Sequence, residues 1–107
     1  MHQIKESDWK ILRQVHKEAL ERFCEQILSE IEPISSDRAK SFHQRYLDIY
    51  ELIHRRDKEM ADTFNHLRRS TALTQLASMK ARGLVTENEF SRFSEEIRDR
   101  VALLLGA

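Results

Sequence analysis

The chain has 107 residues, 34% of them charged and 40% apolar, the size and balance of one folded domain rather than a disordered tail. Eighteen basic residues face eighteen acidic ones, so no net positive charge recruits nucleic acid or anionic lipid. Two glycines and one proline are too few for a strand-rich fold, and a lone cysteine permits no internal disulfide. No run approaches the ~20 apolar residues of a membrane span. The opening residues, Met1-His2-Gln3-Ile4-Lys5-Glu6, carry no secretion or transit pattern. A cytoplasmic location is therefore expected.

A first helix is predicted over about 7–32. Ser7 is a good N-cap and Asp8 suits the first turn. Trp9, Leu12, Val15, Ala19, Leu20, Phe23, Ile27, Leu28 and Ile31 then recur in steps of three and four, one apolar stripe of an amphipathic helix. Pro33 is expected to end it, because proline disfavours helix at the preceding residue. Ser35 or Ser36 is positioned to cap the next helix.

The second pattern covers about 36–69. Ala39, Phe42, Tyr46, Ile49, Tyr50, Ile53, Met60, Phe64 and Leu67 keep to one face. As a single helix it would be roughly 50 Å long, against about 35 Å for a compact domain of this size. A stripe longer than its own domain calls for a second copy of the chain to cover it. Phe42, Tyr46, Tyr50, Phe64 and Leu67 are the predicted interface of a homodimer.

Near Ser70-Thr71 the apolar phase shifts by roughly 150–180°, so a break is preferred there, although one continuous helix over 36–82 is also compatible. A helical hairpin is predicted over about 71–104. Gly83 stands where a helix ending at Arg82 needs a left-handed residue, and Leu84 is placed to touch Met79 in a Schellman motif. Thr86 and Glu89 have capping-box spacing, and Val85 and Phe90 occupy the two positions of a hydrophobic staple. The final helix should bury Phe90, Phe93, Ile97, Val101 and Leu104.

The stretch Leu76, Met79, Gly83, Leu84-Val85, Thr86, Glu89-Phe90 resembles the SHOCT family, a short C-terminal helical-hairpin domain of bacterial proteins. The likeness spans 76–104, about a quarter of the chain. It departs from the family where a lysine is usual after Phe90, since Ser94 stands there, and where the closing leucine pair is displaced. The resemblance implies an assembly role for the hairpin. The first seventy residues resemble no known family.

Residues that could carry chemistry are sparse. Glu51 and His54 have the Glu-x-x-His spacing of a carboxylate-bridged di-iron helix. Only one copy exists, and the pair lies roughly 160° and about 100° from the apolar face. His16 alone among five histidines falls within an apolar stripe, which suits a hydrogen-bonded core or interface residue. Cys24 has no partner at zinc spacing, and there is neither a nucleophile elbow nor a phosphate-cradling loop. No catalytic, cofactor or metal residue is predicted. Arg55, Arg56, Arg68 and Arg69 could serve a nucleic-acid-binding regulator, but acidic residues interleave them as in surface pairing. A helix-turn-helix centred on Gly83 would turn Glu89 and Arg92 inward instead of Phe90 and Phe93.

The expected fold is all-α: a long antiparallel helical hairpin followed by a short C-terminal helical hairpin, bundle-like, in one domain. The expected function is a homo-oligomeric protein-interaction or regulatory module.

Overall fold

The computed structural model describes residues 4–106. It is all-helical among those residues: α1 (Glu6–Ser35), α2 (Phe42–Phe64), α3 (Ala72–Ala81), α4 (Glu87–Phe90) and α5 (Glu95–Leu104). The helix α1 runs antiparallel along α2, while α3 packs against both α1 and α5. No described helix is long and apolar enough to cross a membrane.

Tertiary contacts set the helix ends where local signals predicted otherwise. Helix α1 begins at Glu6 after Lys5, which supplies no side-chain cap, so Ser7 lies inside the first turn. Burial of Ile4 and Asp8 anchors this start instead. At the other end α1 passes through Pro33 to Ser35. The missing N–H falls in an exposed last turn, where water can serve the freed carbonyl. The Ser36 N–H and hydroxyl both donate to the Glu32 carbonyl and finish the helix.

The second helix is shorter than the predicted 36–69. Ser41, not Ser35 or Ser36, caps it by accepting the Gln44 N–H at 3.0 Å. The Asp37 carboxylate accepts the Ala39 N–H and holds the preceding loop. The break before α3 is real and covers 65–71. Asn65 turns extended and His66 takes φ +59°, a left-handed conformation that ends the helical path. Thr71 ties the turn by donating its hydroxyl to the His66 carbonyl and accepting the Arg68 N–H.

The stop between α3 and α4 has full Schellman geometry. Leu84 N–H donates to the Met79 carbonyl and Gly83 N–H to the Lys80 carbonyl, each at 3.0 Å, with Gly83 at φ +73°. Met79 and Leu84 are both fully buried. Thr86 and Glu89 complete the capping box in both directions at 3.0 Å. The single final helix of the sequence reading is divided. Ser94 starts a new helix because its N–H and hydroxyl are both bound by Asp8, at 2.8 and 2.7 Å. Leu104 is consequently exposed and Phe90 only half-buried, while Phe93, Ile97 and Val101 enter the core.

That core lies at one end of the molecule. Leu12, Val15, Ala19 and Phe23 of α1 meet Leu76, Met79, Leu84, Phe93 and Val101. Beyond Phe23, α1 buries no residue, and Leu52 is the sole buried residue of α2 before Thr63. The distal halves of the two helices therefore project as a two-helix arm. The shape follows: extents of 54 × 25 × 24 Å and a radius of gyration of 17.0 Å, against about 13 Å for a compact chain of this length.

A Cβ at Gly83 would meet nothing within 4 Å, so only backbone strain opposes a side chain there. Gly83→Ala should cost about 1 kcal/mol in urea unfolding, and Gly83→Asn, which tolerates the left-handed region, should cost less. Equal stability of all three would remove the left-handed stop from the account.

Candidate interaction surface

Arg56 fixes the register of the arm. Its guanidinium donates to both oxygens of Glu30 on α1, at 2.6 and 3.0 Å, and to Glu59 at 2.5 Å. It also lies over the Phe23 ring, 5.6 Å from the centroid. Hydrogen bonds to Glu30, then Glu59, raise the Arg56 pKa, and the same contact with Arg56 lowers that of Glu30. At the tip, Arg45 donates to the Ser35 and Lys40 carbonyls and stacks on Phe42 at 4.6 Å. Lys40 and Gln44 both bind the Asp48 carboxylate at 2.8 Å. Apart from Arg45 over Phe42, these contacts lie to one side of α2 and leave its adjacent face bare.

That face is aromatic. Phe42, Tyr46 and Tyr50 are 84, 64 and 62% exposed, and Ile53 of the same stripe is 41% exposed. Steps of four and three residues put them in one line along three helical turns. Tyr50 lies parallel to the His54 ring with centroids 6.2 Å apart. On α1, Leu28 is 66% exposed. Aromatic side chains carry ~150–250 Å² each, so the patch amounts to roughly 600 Å² with Leu28 and Ile53 included. This is at the upper end of what a typical monomer leaves bare, about 300–600 Å².

The structure divides the predicted interface set. Phe42, Tyr46 and Tyr50 stand on the open face. Phe64 is buried against Phe23 and His16 in the chain's own core, and Leu67 is half-buried against it. The stripe that reads as continuous in sequence is thus covered internally at its C-terminal end and open at its N-terminal end.

The remaining candidates have separate places. His16 Nε2 lies 3.1 Å from the Phe64 carbonyl, which can only accept, so this nitrogen carries the proton. Glu51 and His54 are both exposed, and Cys24 is half-buried on α1. Among the described residues no three His, Cys, Asp or Glu side chains gather closely enough to hold a metal ion. The four arginines form no common surface cluster. Arg56 is engaged by Glu30 and Glu59, and Arg69 pairs with Glu6 and covers Trp9. Arg55 and Arg68 remain on the surface.

Met79, Gly83, Leu84, Thr86, Glu89 and Phe90 form the clasp at the arm's base. Two polar residues that sequence reasoning missed hold it in place. Arg22 donates to both Glu89 oxygens, at 2.6 and 2.9 Å, and to the Leu84 carbonyl at 2.8 Å. Asp8, 1% exposed, accepts from Ser94 at the start of α5. Both partners lie more than sixty residues away, at separations of 67 and 86. No local pattern marks such pairs. The chain matches no known protein family, no curated protein and no solved structure.

Hydrogen bonds from Arg22 hold the Glu89 carboxyl below the ordinary carboxylate range; burial opposes this, and the Thr86 N–H adds to it. A lowered folded-state pKa contributes stability in full above the unfolded value of about 4.3 and loses it as pH falls below that. Glu89→Gln should therefore be less stable by about 2 kcal/mol at pH 7. The gap should shrink as pH is lowered toward ~3 in paired unfolding titrations. A gap independent of pH would contradict the ionic part of the clasp.

Proposed function

We propose that this chain is a protein-interaction module of the cytoplasm that works as a homo-oligomer, with the N-terminal half of α2 as its contact surface. The observation that carries this reading is the row Phe42, Tyr46, Tyr50 and Ile53, left bare on a helix held rigidly by Arg56 and Arg45. Exposing three aromatic rings in water forgoes the burial that normally keeps such residues inside, at roughly 25 cal/mol for each Å². Tyrosine and phenylalanine are also the residue types enriched at the centre of protein interfaces. A preformed helix face costs little ordering entropy when it docks, which favours association over an unstructured stripe of the same composition.

The body supports the arm. The SHOCT-like hairpin over 76–104 takes the supporting part in this reading: its clasp grips α1 through Arg22 and keeps the arm at a fixed angle to the core. No reaction is assigned, because the surface offers aromatic area and paired charges instead of a nucleophile next to a base.

Light scattering on a sizing column gives the direct check. The unmodified chain is expected to elute with the mass of a dimer. Tyr50→Glu, which places a charge in the middle of the row, should elute as a folded monomer or lose solubility. A soluble Tyr50→Glu variant with the mass of the unmodified chain would remove α2 from the contact.

A further inference from the structure

Resting on that reading, we infer that the second copy lies antiparallel, α2 across α2, with a two-fold axis near Tyr50. Three observations on the arm converge on this arrangement: the position of the apolar patch, its area, and the distribution of unpaired charge along its length.

The patch is two-sided. At 100° per residue Leu28 turns about 100–120° from the row of α1 residues that meets α2. Phe42, Tyr46 and Tyr50 turn in the same sense from the row of α2 that meets α1. In an antiparallel helix pair equal turns lead to one and the same side, so Leu28 and the aromatic row share a face. That face ends toward the core at Asp57, one turn beyond Ile53. Two such faces together hide roughly 1,200 Å², near the lower bound of stable interfaces at about 1,200–2,000 Å² in total. Nothing smaller than the whole face suffices, so the two copies must overlap from tip to Asp57.

Charge fixes the direction. The tip of the arm carries two guanidinium groups with no carboxylate partner among the described residues. Arg38 has no acidic partner among the described residues, and Arg45 binds two backbone carbonyls and the Phe42 ring without a carboxylate. Lys40 is held by Asp48, so Arg38 and Arg45 are the tip cations left without a carboxylate. The base of the face is acidic. Beside Leu28 a depression of about 480 Å³ is lined by Glu18, Glu21, Arg22, Cys24 and Glu25. None of its three glutamates has an ion-pair partner among the described residues, and Arg22 is already committed to Glu89. Asp57, on α2 one turn beyond Ile53, is exposed and likewise has no ion-pair partner among the described residues.

A parallel pairing would set the Arg38 and Arg45 guanidiniums of one tip against those of the other. An antiparallel pairing with full overlap sets each tip against the other chain's Asp57, Glu21 and Glu25. Like charges brought together across an interface exclude the wrong partner orientation, and opposite charges select the right one. The same operator makes the contact isologous, so it closes at two copies and leaves no free face to propagate. Tyr50 then lies beside the axis, close to its own counterpart, and Phe42 meets Asp57 of the other chain at the edge.

Oxidative trapping separates the orientation from the assembly itself. In a Cys24→Ser background, Tyr50→Cys is expected to form a disulfide dimer and Phe42→Cys is not. A mixture of Phe42→Cys and Asp57→Cys chains should trap the mixed pair. That mixture decides the orientation even if truncating Tyr50 weakens association. Self-trapping at Phe42 would mean tip-to-tip parallel pairing and would overturn the inference while leaving the dimer intact. A dimeric mass with no trapping in any of the three would place the contact elsewhere and overturn it as well. If the unmodified chain has the mass of a monomer at every concentration, the proposed assembly fails and the orientation falls with it.

Discussion

A helix of thirty residues is about 45 Å long, and α1 is that helix. The chain contains only enough further apolar residues to cover half of it. Leu12 to Phe23 receive α3, α4, α5 and the end of α2, and everything distal receives α2 alone. Most other features descend from this mismatch of length. The arm exists because α1 outruns the core, α2 is held by an Arg56–Glu30 bridge because little apolar contact remains there, and the aromatic row stays bare because no third helix reaches it.

The compact end solves a different difficulty. Three short helices cannot hold one another by propensity, since helices under a dozen residues are marginal in water. Each end is therefore tied to α1 by a charged group. Arg22 reaches the capping box of α4, and Asp8 reaches the N-terminus of α5, where the helix dipole favours an anion. Both carboxylates have donors on two sides, which is the condition under which burying an acid is tolerable. Removing one partner of either pair leaves the other wholly or partly buried and unpaired, so these sites are sensitive out of proportion to their number.

Local chemistry made part of this legible. The Gly83–Glu89 stretch encodes its geometry within seven residues, because a Schellman stop and a capping box need only neighbours in sequence. The all-helical class and a break near Ser70-Thr71 were legible for the same reason, through periodicity and its change of phase, although α2 already ends at Phe64. Helix boundaries were not. Ser7, Ser36 and Pro33 are sound local signals that yielded to Ile4 and Asp8 at the start and to an exposed last turn at the end. Ser94 split the last helix because of Asp8, eighty-six residues earlier. The interface residues show the same limit. Phe42 and Phe64 belong to one periodic stripe, and only the fold of α3 and its flanking loops decides that Phe64 is covered and Phe42 is bare.

The central claim is that the bare face of α2, which no described residue of the chain covers, is covered by association. Hydrogen exchange at high and low protein concentration tests it directly. The account predicts that amides over 42–56 exchange faster on dilution while those over 12–23 and 76–81 keep their protection. Protection of 42–56 that does not depend on concentration, or a dilution effect confined to other segments, would contradict it.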